Sequence, residues 1–233
     1  MRLLAIDTAT EACSVAVQTP QGVFERWVEA PREHGDRVLG MVDAVLDEAG
    51  IATADLDAIA FGRGPGAFTG VRIATALVQG MAAALNRPVV PVSTLAAIAQ
   101  GVHRRTGHQQ VLAALDARMG EVYWGAWALD EGGVMRAADE ECVARPTAVP
   151  LPAGSGWVGA GTGWSRYEDI LTERIGDALE ACLGHALPAA RDLLPAAAAA
   201  FGAGEAVPAE QALPVYLRDR VAERPRRSGP GAT

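Results

Sequence analysis

An α/β protein of two similar lobes is predicted by three observations: short apolar runs alternate with helix-period segments, a strand–aspartate–turn–strand unit occurs twice, and a glycine-rich loop joins a strand to a helix. The 233 residues suit two small lobes around a shared cleft. Half of them are apolar but only 5% are aromatic, so the core must be built mainly from Ala, Val and Leu.

Residues 3–6 form an apolar run that ends at Asp7. A turn over 8–12, a strand over 13–17 and, after Pro20-Gln21-Gly22, a strand over 23–28 complete a β-meander. From 36 to 49 the period changes to that of a helix. Val38, Met41, Val42, Val45, Leu46 and Ala49 share one face, Asp36, Asp43 and Asp47 lie opposite, and Gly50 stands where a left-handed cap belongs. A buried strand over 56–61 feeds the loop Gly62-Arg63-Gly64-Pro65-Gly66-Ala67-Phe68-Thr69-Gly70, which opens a helix over 71–85. A strand over 88–92 follows, and its alternation with helices argues for parallel pairing.

The second half repeats the opening. An apolar strand over 112–115 ends at Asp116, turns through Arg118-Met119-Gly120 and returns over 122–127. Two lobes that each begin with a hairpin carrying Asp at its bend point to the duplicated actin-like (ASKHA, ribonuclease H-like) fold, with mixed sheets flanked by helices. The expected division is a first lobe over 1–101, a second over 102–217 whose last helix returns to the first, and an arginine-rich tail over 218–233. Within the second lobe, 140–152 reads as a proline-broken connector, the run at 157–158 enters the loop Gly159-Ala160-Gly161-Thr162-Gly163 with a helix after it, and 195–200 is helical by propensity.

Composition closes several doors. The formal charge of −8 gives the chain as a whole no footprint for nucleic acid. Every basic side chain except histidine is arginine, so a Walker phosphate loop is excluded for want of its lysine. Cys13, Cys142 and Cys182 have no C-x-x-C spacing, and His34, His103, His108 and His185 offer no helical pair. No bound metal is expected. With no signal peptide and no apolar run read as spanning a bilayer, the chain is expected in the cytoplasm, away from membranes.

Two readings of the glycine loop stand side by side. Its backbone N–H groups and the following helix dipole suit an anion, and the same glycines suit a tight strand-to-helix turn. Asp7 and Asp116 stand where actin-like enzymes hold metal-bound phosphates. There a glycine usually follows two residues later, whereas this chain has Ala9 and Arg118. The candidate nucleotide or anion ligands are Asp7, Thr8, Gly62, Gly64, Gly66, Thr69 and Gly70. No catalytic residue is assigned.

These motifs resemble those of the bacterial TsaB (YeaZ) family. The matching residues are Leu4-Ala5-Ile6-Asp7-Thr8-Ala9-Thr10, the loop from Gly62 on through Val71-Arg72-Ile73, Pro91-Val92-Ser93-Thr94-Leu95, Leu115-Asp116-Ala117-Arg118, Glu121-Val122-Tyr123 and Pro214-Val215-Tyr216-Leu217-Arg218. The resemblance implies a non-catalytic subunit in the formation of N6-threonylcarbamoyladenosine at position 37 of tRNAs that read ANN codons. Its implied partners are TsaD, which transfers the group, the ATPase TsaE, and tRNA only within the complex. It implies pairing with a second copy when alone, no tightly bound cofactor, and ATP or ADP only at an interface shared in the complex. The TsaD-type H-x-x-x-H metal pair falls here on Thr94 and Ile98, which cannot replace it. The alternative is a stand-alone actin-like ATPase or M22-type peptidase. For the partner surface, one face of the 71–85 helix, with Thr75, Ala76, Gln79, Gly80 and Ala83, is expected to meet a neighbour together with Val38, Val42 and Val45 of the helix before it.

Overall fold

The computed structural model describes residues 1–218. The expected tail therefore lies outside the described residues except for Arg218. Strands β1 (Leu3–Asp7), β2 (Ala12–Thr19) and β3 (Gly22–Glu29) form the predicted meander, followed by α1 (His34–Ala49), β4 (Ala58–Gly62), α2 (Phe68–Leu85) and β5 (Val89–Val92). Then come α3 (Thr94–Thr106), β6 (Gln110–Arg118), β7 (Glu121–Leu129), β8 (Met135–Ala137), β9 (Cys142–Ala144), β10 (Trp157–Ala160), α4 (Thr162–Ile175), β11 (Leu179–Cys182) and α5 (Leu194–Gly202).

The sheets make the duplication explicit. The first has strand order β3-β2-β1-β4-β5, and the second, read from its far edge, runs β8-β7-β6-β10-β11. In each, an antiparallel hairpin supplies the central strand, and that strand takes a parallel neighbour on its other side, β1 with β4 and β6 with β10. The fold is the actin-like, two-lobed one. β9, in the expected connector, pairs with β7.

Strand alternation sorts the side chains into layers. On β1, Leu4 and Ile6 face α1 and α2, in a core that also holds Val38, Val42, Val45, Leu46, Ala74 and Val78. Leu3 and Ala5 point the other way, into a core shared with the second sheet through Val111, Ala113, Leu115 and Val158. Between the sheets lie α3 and α5, with Leu95, Ile98, Leu194 and Ala197 in the same cluster. α4 covers the outer face of the second sheet, where Trp164 and Leu171 pack with Leu112 and Trp124. The lobes thus share a packed floor.

α3 was not predicted as a helix. Its residues 94–102 are all buried, so no polar face betrays a period. Ser93 starts it, its hydroxyl accepting the N–H groups of Leu95 and Ala96, and Gly107 ends it in the left-handed region. The division expected at residue 101 falls inside this helix. A second correction concerns α2, which by length and composition alone is apolar enough to cross a membrane. It lies on the first sheet instead, with six of its eighteen residues buried.

Because the floor is continuous, the described lobes are expected to melt together. Ile98→Ala should cost about 2–5 kcal/mol and lower a single calorimetric transition. Two separate transitions, with only one moved by the substitution, would contradict a shared core.

Candidate functional site

β1 delivers Asp7 to the junction of the two lobes with no exposed surface. Its Oδ1 accepts the Ala9 N–H at 2.9 Å, and its Oδ2 accepts the Thr94 hydroxyl at a long 3.5 Å. The glycine loop closes over this turn. A Cβ on Gly62 would fall on the Asp7 carboxylate, one on Gly70 on the Thr8 carbonyl, and one on Gly66 on the Ala9 carbonyl. Thr8 donates its hydroxyl to the Gly70 carbonyl at 2.6 Å, and the Ala67 N–H donates to the Ala9 carbonyl at 2.7 Å. The loop and the turn form one clasp, in which glycine backbone meets the Asp7 carboxylate, the Thr8 hydroxyl and the carbonyls of the turn.

That geometry corrects part of the expected anion site. Asp7, Thr8, Gly62, Gly64 and Gly70 are all buried, their surfaces taken up by the chain's own atoms. Gly66 keeps partial exposure and lines the cleft, and Thr69 is exposed on the first turn of α2. Burial raises the Asp7 pKa to about 6, offset in part by the Ala9 N–H and the Thr94 hydroxyl. It also pushes the Cys13 thiol up to about 11, with the Asp7 charge adding to the effect. A thiol held that high is a poor nucleophile at neutral pH.

The second lobe repeats the clasp. Asp116 Oδ1 accepts the Arg118 N–H at 3.0 Å, and the Asp116 N–H donates to the Thr162 hydroxyl at 3.2 Å. Gly161 and Gly163 of the second glycine loop press against Ala114, inside β6 and two residues before Asp116, rather than against the turn after it. Here the aspartate is not sealed in. Its carboxylate meets Arg118 at 3.3 Å and Arg166 at 3.5 Å on the wall of the cleft. The cleft has a volume of about 1020 Å³ and is walled by Gly66, Phe68 and Arg72 on one side and Asp116, Thr162 and Arg166 on the other.

Among the described residues no group of three or more His, Cys, Asp or Glu gathers as metal donors. Thr94 is buried beside Asp7, and Ile98 lies in the floor between the sheets.

The partner face divides. Ala76, Gly80 and Ala83 of α2 are exposed, and a Cβ on Gly80 would meet nothing within 4 Å. Thr75 is buried and donates its hydroxyl to the Val71 carbonyl at 2.8 Å, while Gln79 is half-buried and donates to the Ala212 carbonyl at 2.8 Å. Val38, Val42 and Val45 are corrected outright: they pack under α1 against the first sheet, and one helix face cannot serve both core and partner. Large apolar residues on α1 and α2 are exposed as well. Leu39 of α1 is 56% exposed, and Phe68 is 57% exposed with the Arg72 guanidinium 3.3 Å from its ring centre. Phe68 was read as loop, so nothing in the pattern marked it.

Two duplicated lobes, each closed by a glycine-loop clasp, define an actin-like protein of the TsaD-related class, and the family model described as TsaD, tRNA N6-adenosine threonylcarbamoyltransferase, matches residues 17–225. Within that class the chain is 46% identical over 230 residues to the tRNA threonylcarbamoyladenosine biosynthesis protein TsaB of Escherichia coli, covering 95% of this chain and 96% of that one. TsaB of Haemophilus influenzae is 34% identical over 229 residues, with 95% of each chain covered. The structure of YeaZ from Pseudomonas aeruginosa superposes with a TM-score of 0.86 at 52% identity, covering 93% of this chain and 99% of that one. The chain belongs to the TsaB (YeaZ) family.

The buried carboxyl has a measurable consequence. With its pKa raised on folding, Asp7 holds its proton to higher pH in the folded chain than in the unfolded one. Its contribution therefore falls as pH rises from about 4 to about 6, by roughly 3 kcal/mol, and is level above that. Asp7→Asn should remove this slope from urea midpoints measured between pH 4 and 8. Equal slopes in both proteins would show that Asp7 ionises freely.

Proposed function

We propose that this chain takes part in tRNA threonylcarbamoyladenosine biosynthesis as a non-catalytic subunit that pairs with a TsaD-type transferase. The E. coli relative carries that pathway in its name. The observation that carries the non-catalytic role is the clasp: the turn after β1, where an actin-like enzyme would approach a phosphate, is filled by the chain's own loop. An adenine nucleotide is then expected only at an interface shared with partners, and tRNA only in the assembled complex in the cytoplasm.

What the chain presents to a partner is the outer layer of its first lobe. Ile73, Leu77 and Met81 are only half-buried beside Ala76 and Gly80. On α1, exposed Leu39 and Gly40 belong to the same layer, since α1 and α2 pack on one face of the sheet. Small residues beside large apolar ones let helices approach closely. The occupant best matched is the equivalent helix pair of a homologous lobe, supplied by TsaD or, without it, by a second copy of this chain.

Gly80→Arg tests this reading. The free chain should fold and melt like the parent, because the position is open. Association with TsaD should weaken at least a hundredfold, from bulk and from an unpaired guanidinium in a closed interface. Tight binding by the folded variant in size-exclusion mixing would place the interface elsewhere.

A further inference from the structure

The segment from residue 212 to residue 218 leaves the first lobe, passes the cleft and ends on the second lobe. On the near side the Gln79 amide donates to the Ala212 carbonyl, and the Val215 N–H donates to the Arg63 carbonyl at 2.8 Å. The Tyr216 ring lies 5.8 Å from that of Phe68. On the far side the Arg218 guanidinium pairs with the Glu121 carboxylate, and it reaches the Arg118 carbonyl at 3.4 Å and the Met119 sulfur at 3.5 Å. Val215, Tyr216 and Arg218 all line the cleft.

The landing point is itself strained. Arg118 and Met119 form the β6–β7 turn with φ of 64° and 55°, a region unfavourable to residues with a side chain. Arg218 holds that turn through its carbonyl and sulfur. The floor of the cleft is packed core, so only its mouth is free to open.

We propose that residues 213–218 are a strap that crosses and partly closes the mouth of the interlobe cleft, latched by Arg218 on Glu121 and the Arg118–Met119 turn. Releasing the latch frees the turn and the strap together and widens the access of solutes to the inner wall of the cleft. The inference stands apart from the partner reading of α2, because it concerns the chain alone.

Two readouts on the full chain decide it. The first is hydrogen exchange. Arg218→Glu sets two carboxylates against each other and should speed exchange at the Val215 amide and across residues 118–121 by tenfold or more. The double variant Arg218→Glu/Glu121→Arg should return both regions toward parental rates, and Tyr216→Ala should loosen only the near end. The second is access to the cleft. Ala117 lines it and is 4% exposed. With the parent's three cysteines as background, Ala117→Cys should react slowly with a small aromatic disulfide and at least tenfold faster when Arg218→Glu is added. Parental exchange in Arg218→Glu overturns the latch. Faster exchange with unchanged labelling of Ala117→Cys overturns the closure. Thermal melts confirm that each variant remains folded.

Discussion

Residues 62–70 press directly on the turn at 7–9, against backbone at Gly66 and Gly70 and against the Asp7 carboxylate at Gly62, and much else in the molecule depends on that contact. Gly62 and Gly70 are required there because a single added carbon would strike the carboxylate or carbonyl opposite. The contact fixes where β4 ends and α2 begins, and so lays α2 across the first sheet. It seals Asp7 away from water, which raises its pKa and leaves it able to bond only its own turn and Thr94. A residue type that could hold a metal-bound phosphate is thereby used as an internal strut.

The two lobes use one plan unequally. Both sheets place their hairpin and parallel strands in the same order, and both seat a glycine loop against the central strand or the turn that follows it. In the second lobe the aspartate stays on the cleft wall, flanked by two arginines. In the first lobe it is lost to the interior, and the lobe's outer helices carry exposed small and apolar residues. α3 and α5 fill the space between the sheets, so each sheet spends its inner face on the other lobe. The surfaces left open are the outside of the first lobe and the cleft.

How much of this was legible follows from periodicity. α1 could be read because it has one apolar and one polar side, and the central strands and their duplication because each is a short apolar run bounded by turn residues. α3 could not, because burial all round erases that contrast, and β8, β9 and β11 are too short to show alternation. The glycine loop was visible as a loop, but composition cannot say whether glycines make room for a ligand or for the chain's own backbone. The valines of α1 show a related ambiguity: an apolar stripe predicts burial without saying against what. Exposed apolar residues such as Phe68 and Leu39 stand outside any stripe, and their exposure emerges only from the packing.

The central claim is that Asp7 is structural and the chain acts through its surface. The most direct test is the rate of threonylcarbamoyl transfer to tRNA in a reconstituted system of TsaD, TsaE, threonylcarbamoyl-adenylate and this chain carrying Asp7→Asn. The account predicts a rate within about twofold of the parental one at pH 7.5, since the amide keeps the bond to Ala9 and nothing reacts there. A loss of a hundredfold or more in a variant that still folds and still binds TsaD would contradict it and make Asp7 a participant in the chemistry.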